Sequence, residues 1–251
     1  MATRVFDTNP NPQLMVAGIP VPEQFTFRMF NAAQAATTVL GNAAGATIVA
    51  MNVAAGATIY IDSSSANDAV AGSGAQICRV WGFNTKGQLQ YEDVSPVGTT
   101  GTALASTDFV TVFFMEVTQG AAAAGNIFIQ DDAAGTTKYL CIQATAVQSS
   151  MTHFVLPTTV IGGFELQGYT TIAATATDSL YVTQREYVLA AVTATVQYAA
   201  PQTVSVAANN TLFIKTAGFL RPGHHSDFYM DDIGTTAQTL NWGLTVGLRY
   251  L

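Results

Sequence analysis

The chain has 251 residues, of which 49% are hydrophobic and only 10% charged, with a formal net charge of -7. An average soluble protein carries about 25% charged residues, yet the apolar content is too high for disorder, which needs high charge and few apolar side chains. The nine Lys and Arg are scattered with no two adjacent, and no apolar run is long enough for a membrane span, so neither a nucleic-acid partner nor a membrane is expected.

The start, "MATRVFDTNPNPQ", lacks the apolar stretch of a signal peptide, which points to synthesis in the cytoplasm. Residues 1–24 read as an extended arm. Four of the eight prolines fall there, at Pro10, Pro12, Pro20 and Pro22, removing donors and holding the backbone extended. Such an arm either drapes over a neighbouring subunit or is an ordered loop.

Period 2 dominates the rest. Strands are expected at 25–30, 46–53, 57–62, 76–83, 88–94, 109–117, 126–130, 139–144, 151–156, 164–172, 179–198, 203–207 and 211–216. Turn signals separate them: Gly56, "TKG", "DDAAG" and "ANN". "GFNTKGQLQYED" reads as a hairpin in which Asn84 and Gly87 suit a turn needing positive φ. "DFVTVFFMEV" is apolar on both faces: Phe109, Phe113, Met115 and Val117 on one, Val110, Val112 and Phe114 on the other. A strand of that kind must be covered twice, by a further layer or by a partner subunit. In the final strand Leu240, Trp242, Leu244, Val246, Leu248 and Tyr250 share one face, against Asn241, Gly243, Thr245, Gly247 and Arg249 on the other. No stretch shows a capped 3.6-residue period, and "GAAAAG" at 120–125 is a loop or a single turn.

The fold class is therefore all-β: an antiparallel β-sandwich of jelly-roll type. One large domain over 25–251 is expected, with two β domains split near residue 175 as the alternative. Cys78 and Cys141 sit in apolar strand contexts without metal-binding spacing and read as buried thiols, whose pairing the sequence leaves open.

Residues 59–119 carry an ordered set of motifs. A strand leads into "SSSANDAVAGSGA" (Ser63 to Ala75), which fits the pattern SS-x-ND-x-x-x-G-x-G-A. Then come "VWGFNTKG" (Val80 to Gly87), an acidic strand, "PVGTTGTALAST", an aromatic strand and "GNI" (Gly125 to Ile127). "IQATAVQSSMTHFVLP" continues the series to Pro157. In this order and spacing the stretch resembles a β domain of virion structural proteins of tailed bacteriophages, over residues 55–175. It departs from that family in having "PTTVIGG" where a "PAG" turn is usual. Within the loop, Ser63 and Asn67 are the residues expected to bond side chain to backbone.

The best candidate for chemistry is "RPGHHSDFYMDD" at 221–232. On a strand His225 and Asp227 would share a face and His224 would point away, so three convergent metal ligands are not supplied by spacing. "RPG" marks a turn, and the segment reads as an exposed loop. The acidic pairs Glu92–Asp93, Asp131–Asp132 and Asp231–Asp232 diverge if extended, which suits them poorly to acid–base work. His153 lies among apolar residues and reads as a core or interface histidine. No catalytic, cofactor-binding or metal-ligating residue is assigned, and no cofactor is expected.

The resemblance implies a non-enzymatic virion structural protein, most narrowly a capsid decoration or cement protein on the capsid exterior. Its partners would be the major capsid protein and further copies of itself in a homotrimer. Interface residues expected on this basis are Arg4 and Phe6 in the arm, Phe113 and Phe114 on the two-faced strand, and His224 and His225. Alternatives are a carbohydrate-binding β-sandwich of a fibre or tail, a tail or major capsid role, and a metal-dependent hydrolase built on His224, His225 and Asp227.

Overall fold

The computed structural model describes residues 25–35, 38–39, 48–53, 55–150, 152–171, 178–188, 197–198, 202–206, 211–233 and 239–251. The expected arm, with Arg4 and Phe6, lies outside these residues. Every described element is a strand, and every strand ladder is antiparallel. The chain is all-β, as its period requires.

In chain order the strands are β1 (Phe25–Ala35), β2 (Thr38–Val39), β3 (Tyr60–Ser63), β4 (Ala75–Asn84), β5 (Leu89–Val94) and β6 (Thr102–Ala103). There follow β7 (Phe109–Gly120), β8 (Ile127–Gln130), β9 (Lys138–Ile142), β10 (Phe154–Val155), β11 (Val160–Thr171) and β12 (Asp178–Val188). The last are β13 (Gln197–Tyr198), β14 (Gln202–Val206), β15 (Thr211–Leu220), β16 (His224–Ile233) and β17 (Thr239–Tyr250).

The chain divides into two compact units, one of Met1–Ala2 with Gly41–Val155 and one of Thr3–Leu40 with Leu156–Leu251. The sequence reading is one large domain over 25–251, with a split near 175 as its alternative; the boundary between these compact units falls at 155. The reason is a long-range pairing that local patterns do not announce. Strand β1 runs beside β17 from Phe25↔Leu248 to Ala35↔Thr239, so the N-terminal strand completes a sheet made otherwise of C-terminal strands.

In the first unit one sheet has the order β6-β3-β8-β9 and another β5-β4-β7. Their shared core includes Ile59, Ile61, Cys78, Val80, Phe109, Val112, Met115, Ile127, Ile129, Leu140 and Ile142. Phe109 and Met115 share that core with Val112, which strict alternation would put on the opposite face. Register shifts against β4, between Trp81 and Gly82 and between Phe83 and Asn84, reverse the alternation along β7. The two faces read from sequence are therefore shuffled. Phe113 packs beside Phe83 with ring centroids 5.3 Å apart, and Phe113 and Phe114 are 0% and 4% exposed in the single chain. Both faces of β7 are covered without a second molecule. Cys78 and Cys141 are free, buried thiols, and burial pushes each up to about 12.

In the second unit the sheet β1-β17-β11-β15 faces one in which β12 pairs with β16, β13 and β14, and β16 also pairs with β2. The contact between the layers is edge-on: the Phe164 and Phe228 rings lie 4.6 Å apart at 76°. Gly218 makes room for it, because a Cβ there would stand 2.9 Å from the Phe164 ring. Gln184 Nε2 ties the layers together by donating to the Phe219 carbonyl at 2.9 Å. On β17 the expected apolar face is buried from Leu240 to Leu248, but the alternation breaks at its end: Arg249 is 8% exposed and Tyr250 39%.

The segment expected to be an exposed loop, 221–232, is a turn followed by β16. The turn is as read, with Gly223 at φ 68. Beyond it Ser226, Asp227 and Phe228 are buried, because β16 pairs with β12 over ten residues, from Val188↔His224 to Ser179↔Ile233. Polar residues hid a strand whose partner supplies the missing charge and the missing packing. Phe228→Ala should therefore cost about 3–5 kcal/mol, as for a buried core aromatic. Urea denaturation checks this, since an exposed loop residue would lose almost nothing.

Candidate functional site

The most constructed polar site in the first unit is the loop 64–74 between β3 and β4. Asp68 is 0% exposed, and its carboxylate accepts four hydrogen bonds. Ser63 Oγ donates to Oδ2 at 2.6 Å and Gly125 N at 2.9 Å, while the N–H groups of Ala75 and Ala124 both reach Oδ1 at 2.8 Å. The main chain of the same residue joins in, because its carbonyl accepts from Gly98 N at 2.9 Å. One residue thus ties the loop to the start of β4, to the Ala-rich loop before β8 and to the 95–101 segment. Burial alone would raise the Asp68 carboxyl, but the bonds from Ala124, Ser63, Ala75 and Gly125 outweigh it and hold the group below its ordinary value.

These contacts account for the loop's composition. A Cβ on Gly72 would collide with the Asn67 carbonyl, and one on Gly74 with Asp68 Oδ1. Ser63 Oγ also accepts from Ser65 N at 3.1 Å, as expected of it. The tie expected of Asn67 is made by Asp68 instead. The signal was present: Asp68 is the one acid between Asp62 and Glu92, set among Ser, Ala and Gly with no basic residue near it in sequence. A charge in such a setting needs several donors, and backbone N–H groups are the only abundant ones.

The outer side of β5-β4-β7 carries a second cluster. Arg79 binds Asp93 through two bonds of 2.6 Å, and its guanidinium lies 4.2 Å from the Tyr91 ring centroid. Tyr91 is 52% exposed and packs 4.8 Å from Trp81, whose Nε1 donates to Glu116 at 3.3 Å. The Asp93 bonds come first in raising the Arg79 guanidinium.

Glu92 and Asp93 point apart, as their spacing requires, while the side chains of Asp231 and Asp232 lie outside those described. Glu92 accepts from Ala105 N and Ser106 N at 2.6 and 2.8 Å, leaving Asp93 to Arg79. Asp131 and Asp132 accept from Thr137 N and Gly135 N, at 2.8 and 2.6 Å, and so close their turn. The Asn84 carboxamide oxygen closes the 84–88 hairpin, accepting from Lys86 N and Gln88 N at 2.9 Å.

In the second unit His224 and His225 lie on opposite faces of β16. His224 Nδ1 is 2.8 Å from the Pro222 carbonyl, and the His225 ring stacks on Tyr187 at 5.0 Å. Asp227 shares the His225 face, but Arg185 takes both of its oxygens at 2.7 and 2.8 Å. Burial holds the His225 imidazole below its usual value, against the pull of Asp227. His153, in the first unit, is buried at 8% exposure. Of the expected interface residues, then, Phe113 and Phe114 lie inside the chain and His224 and His225 on a paired strand.

No known family profile matches the chain, and no curated protein matches it. Among solved structures it is similar to Eiger TNF from S. frugiperda, at 13% identity over 70% of this chain and 92% of that one, with a TM-score of 0.25. It is similar to a chain of the infectious bursal disease virus Gx strain at 10% identity, 90% and 71% coverage and a TM-score of 0.29. It is also similar to the stem and receptor-binding domain of spike protein P1 from bacteriophage PM2, at 8% identity, 92% and 98% coverage and a TM-score of 0.23. Likenesses of this size leave the function to the chain's own residues.

Asp68→Asn should destabilise the protein by about 3 kcal/mol or more, because an amide NH2 would face N–H groups that now point at a carboxylate. Since the folded carboxyl sits below its unfolded value, its contribution is present above about pH 4 and is lost as pH falls through the folded value. Urea midpoints measured down a pH series should show this loss in the parent and not in Asp68→Asn. Both thiols should resist alkylation at pH 8 in the native state and react on unfolding; labelling of either in the folded protein would contradict their burial.

Proposed function

We propose that the chain is a structural protein of a tailed-phage virion, acting as a capsid decoration or cement protein. It would bind across major capsid subunits on the capsid exterior and associate with itself as a homotrimer. The observation that supports this best is the match between motif and scaffold. The residues that carry the resemblance, from Ser63 to Ala75 and at Gly125, are the ones knotted around Asp68, and the resembling stretch takes in most of the unit Gly41–Val155. The motif shapes a rigid loop system rather than presenting a nucleophile, an acid or a metal ligand. A rigid surface is what a cement protein needs, since little ordering cost then opposes docking. Binding to the assembled shell and not to free subunits stabilises the shell by mass action. Mixed with empty shells of the phage that carries its gene, the protein should co-sediment with them and raise their disruption temperature. Protein left in the supernatant with an unchanged shell would sink the reading.

A second reading, a carbohydrate-binding module of a fibre or tail, has one observation in its favour. Tyr91 is an exposed aromatic ring held in place by Arg79 and Trp81. Glycan-array binding abolished by Tyr91→Ala would support that reading over the first.

A further inference from the structure

We infer that Arg249, near the end of β17, is the cation of a binding site for a small oxyanion, a phosphate or a carboxylate group. The inference is independent of the virion role proposed above. Alternation along β17 puts Arg249 on the polar face, yet the residue is only 8% exposed. Its Nε and Nη1 are both closed off from solvent, with no acceptor for either among the described residues. A guanidinium in that state has lost its water and gained no partner, which is among the costliest arrangements a fold can hold.

The other cations of the second unit show how such charge is met. Lys215 lies 3.6 Å from Glu165, Arg221 3.3 Å from Glu186, and Arg185 2.7 Å from Asp227. Those three are the carboxylates of the unit whose side chains are described, and each is taken. Glu165 is the one on the face of Arg249. It stands across from Thr245, whereas Arg249 stands across from Ile161, so the two are four residues apart along β11, roughly 13 Å. In a chain with sixteen acidic residues against nine Lys and Arg, an unmatched buried cation runs against the composition.

The register gives the site its room. Gly247 precedes Arg249 by two residues on the same face, and its partner on β11 is Gly163. The strip of sheet beside Arg249 is therefore bare backbone, and an incoming group meets no side chain there from either strand. With so little of Arg249 exposed, only a compact group reaches it. A guanidinium has five donors in a planar fork and no acceptor, so its partner is a negatively charged acceptor. Carboxylate and phosphate oxygens match that fork, and a metal cation is repelled by it.

Melting curves of the full chain test this. They are taken in a buffer free of phosphate and carboxylates, then across series of inorganic phosphate and of acetate at constant ionic strength. Arg249→Met removes the charge at similar length, and Lys215→Met removes an exposed charge from the same face as the control. Without either anion, Arg249→Met should melt at or above the parent, because it deletes an unpaired buried charge. With a binding anion, the parent and Lys215→Met should gain about 3–5 °C for each tenfold rise above the dissociation constant, and Arg249→Met should not. General salt effects act on all three proteins alike. A response to phosphate alone assigns the site to a phosphoryl group, and a response to acetate assigns it to a carboxylate. An Arg249→Met variant that fails to fold, or melts well below the parent without anions, would mean that the guanidinium already has its partner and would overturn the proposal. So would a parent indifferent to both anions, or equal gains in the parent and Arg249→Met.

Discussion

One buried carboxylate organises the first unit. Removing Asp68 from water is costly, and the cost is met because Ser63, Ala75, Ala124 and Gly125 each aim a donor at it. Ala124 and Gly125 lie 56 and 57 residues along the chain, so satisfying one side chain fixes the 64–74 loop against the loop before β8, and the carbonyl of the same residue adds the 95–101 segment. Gly72 and Gly74 follow from it, since a side chain at either would strike the knot. The absence of other charge nearby follows too: the site needs neutral dipoles, and small residues let backbone N–H groups approach. A loop system of Ser, Gly and Ala thereby becomes a defined surface.

The second unit depends on a different constraint, the pairing of the two ends of the chain. With β1 laid along β17, a sheet can be completed only after both ends of the chain exist, and the stretch Gly41–Val155 of the first unit is inserted between β2 and the return of the chain at Leu156. Among the described residues, the contacts that lock the layers include the Phe164–Phe228 edge, the Gly218 gap that admits it, and the Gln184 bond to the Phe219 carbonyl. On the other face of β12 and β16 the register sets Arg185 opposite Asp227. Asp227 is thereby held in a two-bonded cross-strand ion pair.

Where period 2 was regular, local reading placed strands well. Strands β4, β5, β8 and β9 lie within a residue or two of their expected bounds, because alternation is a local property. It failed where a partner strand supplied what the segment lacked. β16 is rich in His, Asp and Ser and was read as a loop, yet its pairing with β12 makes those residues strand residues. The two-residue strands β2 and β6 are too short for any period to show. On β7 the residue types were right and the faces wrong, because bulges against β4 reverse the alternation. The candidate site was legible only in part. Ser63 was identified as a tie, but the role given to Asn67 belongs to Asp68, whose donors sit 7 and 56–57 residues away along the chain.

By itself, then, the sequence determined the class of the fold, the turns at Asn84–Gly87, Asp131–Gly135 and Pro222–Gly223, and the low charge of the surface. These follow from side-chain alternation, from φ preferences and from composition, each a property of a few consecutive residues or of a sum over the chain. Tertiary structure alone decided the division into two units, the partner of Asp227, the burial of Phe113 and Phe114 and the convergence on Asp68. Each of these depends on which distant strands come into register, and register is settled by the burial of a whole face rather than by any local signal.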